Sequence, residues 1–144
     1  MPDTETLLDP GAQSASPAQQ YVDDMIAARG YVLRYHQILA ASDYKVLQAA
    51  NGLISAAYLE ERRLSRATKE LIFIVSLIVL NAPKEHVQSH IRVALNCGVT
   101  PEEILEAIEI SLPEAGVVAF QRGVEYWHEI TGGPIIEPTV SVGE

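Results

Sequence analysis

His86 and His90 stand four residues apart, a spacing that places both imidazoles on one face of a helix. Glu70 lies near the start of the apolar segment that precedes them, and a short turn around Asn81-Ala82 makes the two segments antiparallel neighbours. A carboxylate that orients one imidazole while another faces substrate is what general acid–base catalysis needs. In that reading Glu70 holds one of the two imidazoles, His86 or His90, and the other faces substrate. His86 falls in the first turn of its helix, where the positive dipole end disfavours imidazolium. The same Glu70, His86 and His90 could instead be the ligands of a facial-triad metal site. The blander alternative is a pair of half-exposed histidines with Glu70 bound to Arg66 one turn back, on a non-catalytic oligomeric scaffold.

Other polar residues carry weaker signals. His36 and His128 lie among Tyr and Trp at helical spacing, which predicts packing with a polar tip at the surface. Cys97 beside Gly98 reads as a small buried apolar residue, not a nucleophile. Tyr35, Tyr44, Tyr58 and Arg66 are candidates, by position alone, for lining a pocket.

Length and charge bound what these residues can serve. The chain has 144 residues, the scale of one domain, and 48% of them are hydrophobic, enough for a real core. Ten Lys and Arg against nineteen Asp and Glu give a formal charge of −9, which repels phosphate backbones and anionic lipid. Nucleic acid and membrane partners are therefore not expected; a small-molecule substrate is. One cysteine excludes an intramolecular disulfide, a Cys-x-x-Cys pair and a thiolate zinc cluster. Acid at Met1-Pro2-Asp3-Thr4-Glu5, where a secretory signal carries positive charge, predicts a cytoplasmic protein. The longest apolar run, Leu71 to Leu80, is far short of the ~20 residues that cross a bilayer.

The elements that must position the histidines read as all-α. Residues 1–16 form a loose tail, 17–131 a helical domain, and 132–144 an extended tail. Ser16-Pro17 caps a first helix ending near Gly30, and a second pattern holds Val32, Leu33, Tyr35, His36 and Leu39. Ser42 or Asp43 caps a third, with Val46, Leu47, Leu53, Ile54 and Tyr58. Ser65 caps the segment through Leu80; its β-branched content makes a buried strand the rival. As a helix it is apolar on every side, which a small domain accommodates by lending one face to another subunit. Pro83 opens the helix of the two histidines, closed by Gly98. Thr100-Pro101-Glu102-Glu103 is a capping box for a helix with Ile104, Leu105, Ile108 and Leu112, ended or kinked by Pro113. A last helix runs from Ala115 to Ile130 and stops at Gly132-Gly133-Pro134.

Leu64-Ser65-Arg66-Ala67-Thr68-Lys69-Glu70-Leu71-Ile72, the turn at Asn81, and His90-Ile91-Arg92-Val93-Ala94-Leu95-Asn96-Cys97-Gly98-Val99-Thr100-Pro101-Glu102-Glu103-Ile104 together resemble the carboxymuconolactone decarboxylase family, which includes an alkylhydroperoxidase D branch. The segment Glu114-Ala115-Gly116-Val117-Val118-Ala119 is similar to that family's Tyr-Ala-Gly-x-Pro-Ala-Ala stretch, with Glu114 for the tyrosine and Val118 for the proline. The resemblance covers about residues 45–128 and implies an all-α, alkylhydroperoxidase D-like helical bundle in a ring-like trimer or hexamer. By position it puts the peroxidase branch's glutamate on Glu70, its histidine on His90, and its two cysteines on Pro83 and His86. With both thiols missing, dithiol peroxidase chemistry is disfavoured. The decarboxylase branch needs neither thiol nor cofactor, and its histidine and following arginine match His90 and Arg92. The implied activity is a cofactor-free, carboxy-lyase-like acid–base reaction on a small carboxylated, lactone or keto metabolite, with Glu70, His86 and His90 as site residues.

Overall fold

The computed structural model describes residues 14–140, and these contain helices and no strand. Residues 1–13 of the expected N-terminal tail, and 141–144 of the C-terminal one, lie outside the described residues. α1 (Pro17–Arg29) opens on the Ser16 hydroxyl, which accepts from the Gln19 N–H, and has Pro17 at its first position. It ends at Gly30, whose φ of 89° is left-handed. A Cβ there would also stand 3.3 Å from Val93 Cγ2, close enough that Val93 would have to give by a few tenths of an ångström. α2 (Arg34–Ser42) follows, and Asp43, not Ser42, caps α3 (Tyr44–Ile54) by accepting from the Val46 N–H. α3 runs on into one π turn (Ser55–Leu59), closed by the Glu60 N–H to Ser55 O at 3.1 Å.

α4 (Arg66–Val79) settles the helix-or-strand rivalry over Leu71–Leu80 in favour of the helix, capped as its sequence predicts by Ser65 on the Thr68 N–H. Two stripes with identical spacing run along it. Glu70, Ile74, Leu77 and Ile78 are buried, while Ile72, Ser76, Val79 and Leu80 face outward. The chain thus encloses one side of this apolar helix and leaves the other open. Asn81, at φ 58°, makes the left-handed turn that an asparagine tolerates, and α5 (Lys84–Asn96) returns beside α4.

α6 (Pro101–Glu109) carries the expected capping box, with Thr100 and Glu103 satisfying each other's backbone N–H groups. It stops earlier than its apolar pattern suggests. Pro113 does not end it; the proline is the third residue of a separate short helix, α7 (Ser111–Ala115), where a first-turn N–H has no intrahelical partner to lose. α8 (Val117–Thr131) completes the bundle, and Gly132 to Pro138 has neither helix nor strand.

One core holds α4, α5, α6 and α8 together: Ile74, Leu77 and Ile78 meet Val87, Ile91 and Ala94, with Ile104, Ile108 and Ala119 closing it. Gly123 marks a close approach in this core. A Cβ there would lie 2.7 Å from Ile78 Cδ1 and 2.8 Å from Ile108 Cγ2. Gly123→Ala should therefore cost about 1–3 kcal/mol through overpacking, despite alanine's better helix propensity, as measured by urea denaturation. The N-terminal helices form a second layer around buried Val22, Met25 and Leu47, joined to the bundle through the α1–α2 turn and the π turn. No helix among the described residues is long and apolar enough to cross a membrane.

Candidate active site

The seam between these layers is where polar groups are buried. Ile74 and Ile78 face the core from α4, and Glu70, one turn earlier on the same stripe, is drawn inside with them and is fully buried. α5, antiparallel beside it, turns His90 toward this carboxylate. His90 Nδ1 stands 2.6 Å from Glu70 Oε2, with both side chains almost inaccessible to solvent. A carboxylate can only accept, so Nδ1 carries the proton of this bond. That leaves Nε2 facing the Tyr31 hydroxyl at 3.2 Å. The α1–α2 turn thus delivers a phenol to the far side of the imidazole, and Glu70, His90 and Tyr31 form one continuous hydrogen-bonded line. Phe73 stacks on the His90 ring at 4.6 Å and 8°, which fixes the plane of the imidazole.

The second carboxylate oxygen is also occupied. Glu70 Oε1 accepts from Arg66 Nε at 2.6 Å and from the Tyr58 hydroxyl, which the π turn brings inward. Arg66 further donates to Tyr58 Oη at 2.8 Å and to the Arg29 carbonyl at 3.0 Å, and its guanidinium lies 4.3 Å above the Tyr58 ring. The ion pair with Arg66 and the contact with His90 therefore coexist on one carboxylate. Burial alone would push the Glu70 carboxyl up, but the hydrogen bonds from His90, Arg66 and Tyr58 outweigh it and hold it below the usual range. Burial, and then the Glu70 carboxylate, push the Tyr58 phenol far up, so it remains a donor.

His86 is half-buried, with its ring 5.4 Å from that of His90, and no hydrogen bond joins it to Glu70 or His90. Its imidazole is shifted down in the direction the sequence predicts, through burial and the neighbouring His90, which the helix-dipole argument did not include. Among the described residues no three His, Cys, Asp or Glu side chains converge where an ion could sit. Glu70 spends both oxygens on protein donors, so Glu70, His86 and His90 do not fit the alternative metal triad.

Two minor expectations are corrected. Cys97 is exposed, because the α5 C-terminus turns it to the solvent side with Asn96 while Val93 and Ala94 take the core. His36 has no surface tip: it is buried, accepting the Leu33 N–H on Nδ1 at 2.9 Å as a cap for α2. Burial, then the charges of Arg29 and His86, lower its imidazole to about 4. The unfolded imidazole binds its proton near 6.5, so the stability this residue contributes is fully present above that pH and is lost as pH falls toward 4. Urea denaturation at stepped pH should show that loss, and His36→Gln should diminish it. Of the pocket-lining candidates, Tyr58 and Arg66 reach the site. Tyr44 packs edge-on against Tyr21, and Tyr35 lies on His36.

A family model described as "Carboxymuconolactone decarboxylase family" matches residues 44–129, more than half of the chain. The chain belongs to the carboxymuconolactone decarboxylase family. No curated protein and no solved structure matches it. The family segment supplies Tyr58, Arg66, Glu70, His86 and His90, whereas Tyr31 comes from outside it, as does Arg29. Arg92, Glu114 and Val118, singled out by resemblance to the family, are exposed.

Proposed function

We propose that the chain is an acid–base enzyme of carboxy-lyase type, needing no cofactor, that acts on a small carboxylated, lactone or keto metabolite. The observation that carries this reading is the buried Glu70–His90–Tyr31 line, a carboxylate-oriented imidazole whose second nitrogen meets a phenol at the seam. In such a reaction the bond to the departing carboxylate breaks and CO₂ leaves. The electron pair passes to a conjugated carbonyl oxygen as an enolate. His90 first takes a proton from solvent on Nε2, and Glu70 stabilises the imidazolium it has oriented; the carbon then takes the proton of the Tyr31 hydroxyl, which Nε2 replaces, so that His90 returns to its neutral form. His86, half-buried beside His90, donates to the enolate oxygen.

The test is incubation with carboxylated γ-lactones and β-keto acids in D₂O, followed by proton NMR. CO₂ release with one deuterium at the former carboxyl-bearing carbon, or solvent exchange at the α carbon, supports the reading. A folded protein that transforms none of them contradicts it and favours a scaffold.

The same reading includes self-association into a trimer or hexamer. Its support is the outward stripe of α4, where Ile72 is 49% and Leu80 75% exposed, together with exposed Val117 and Val118 on α8. Light scattering on the eluting protein should give three or six times the chain mass; a monomer at micromolar concentration would contradict it.

A further inference from the structure

Arg29 is buried at 3% exposure, yet among the described residues it makes no ion pair. One terminal nitrogen donates to Asn51 Oδ1, the guanidinium lies 5.8 Å from the Tyr31 ring centroid, and Nε is buried without a hydrogen-bond partner. His36 is in the same condition. Its Nδ1 accepts from Leu33, which leaves the ring proton on Nε2, and that atom too is buried and unpartnered. Buried donors are ordinarily satisfied, so each of the two requires an explanation, and the Arg29 charge reaches His36.

We infer that Arg29 and His36 form an anion subsite beside the Glu70–His90–Tyr31 line, which holds a carboxylate of the ligand. Its position follows from the chain itself: Arg29 is two residues from Tyr31, and the Arg29 carbonyl is tied to Arg66, which is tied to Glu70. Charge points the same way. Glu70 is the one buried carboxylate among the described residues and is already shared between Arg66 and His90, so the Arg29 cation is surplus at the seam. Asp24, in a cleft of about 190 Å³ that also reaches Arg29, accepts from Gln20 and does not pair with the guanidinium. Burial first, and then the charges of Arg29 and His86, keep His36 a neutral N–H donor, so an entering anion meets one cation and one neutral donor.

This inference rests on the acid–base reading and specifies its ligand. A carboxylate held by a guanidinium is stabilised in the ground state, which opposes its loss as CO₂. The group at Arg29 is therefore a non-reacting handle, and the substrate carries a second carbonyl or carboxyl function at His90. Both residues lie outside the family-matched segment, so the handle is a property of this chain's N-terminal layer.

The experiment measures binding of acetate, levulinate and benzoate against acetamide, levulinamide and benzamide by calorimetry, with the wild-type protein and three variants. At least one carboxylate should bind more tightly than its amide. Arg29→Gln should weaken that carboxylate roughly ten- to a hundredfold without affecting the amide, and Arg29→Lys less so. If Arg29→Gln does not fold, nitrogen-15 NMR of the wild type decides: the Arg29 Nε and His36 Nε2 resonances should shift saturably with the carboxylate and not with the amide. No carboxylate preference, an unchanged preference in Arg29→Gln, or resonances that ignore carboxylate would overturn the subsite. A changed oligomer mass in Arg29→Gln with silent resonances would overturn it in favour of a carboxylate from a second copy. His90→Gln should keep the carboxylate preference; if it also keeps turnover, the acid–base reading fails while the binding data still decide the subsite.

Discussion

His90→Gln is expected to lower kcat/KM by about 10²–10⁴-fold on whichever lactone or keto acid the protein transforms, with unchanged helical circular dichroism. The size follows from the position of the ring. Its two nitrogens join the Glu70 carboxylate to the Tyr31 hydroxyl, so removing the imidazole breaks the line at its centre. A glutamine amide keeps a hydrogen-bonding group in the buried space but does not take and return a proton. The loss should fall mainly on kcat, because the proton moves only as the enolate is quenched. Unchanged kcat in a folded His90→Gln protein would remove the acid–base role from this residue.

Glu70→Ala should be the most damaging single substitution for stability, costing about 3–5 kcal/mol in urea denaturation. It strands a half-buried Arg66 and removes the acceptor from the Tyr58 hydroxyl and from His90 at once. Glu70→Gln keeps shape and one acceptor oxygen, so it should lose less stability and still lose turnover, since a neutral amide does not stabilise imidazolium. The sign of the pH effect is fixed by the lowered Glu70 carboxyl. Its contribution is fully present above the unfolded glutamate's pKa of about 4.5 and is lost as pH falls through the lower folded value. Glu70→Gln should flatten that acid limb. An acid limb identical to wild type would mean that the carboxylate is not held as described.

The fold was legible where local chemistry is strong. Ser16-Pro17, Ser65 and the Thr100–Glu103 box each cap the helix their sequence predicts, and Gly30 and Asn81 turn the chain where expected. Pro113 misleads because a proline early in a new helix and one that ends an old helix look alike in sequence. In the candidate site, Glu70 and His90 were legible because they are short-range consequences of two antiparallel helices. Tyr31 was not, since nothing local says that a turn some sixty residues earlier packs against α5; the nearest hint was Gly30, whose missing Cβ eases the approach to Val93. The π turn that swings Tyr58 inward also has no sequence signature of its own. His36 was misread for a related reason: aromatic neighbours suggest an exposed tip, and only the tertiary layer reveals that it is covered.

The carboxylate–imidazole–phenol line is tested most directly by nitrogen-15 NMR of the His90 side chain in wild-type protein. The structure predicts a proton fixed on Nδ1, slow to exchange and shifted far downfield by the carboxylate, with Nε2 as the acceptor toward Tyr31, and loss of that downfield signal in Glu70→Gln. A ring protonated on Nε2 alone, or an Nδ1 proton that exchanges freely with water and ignores Glu70→Gln, would contradict it.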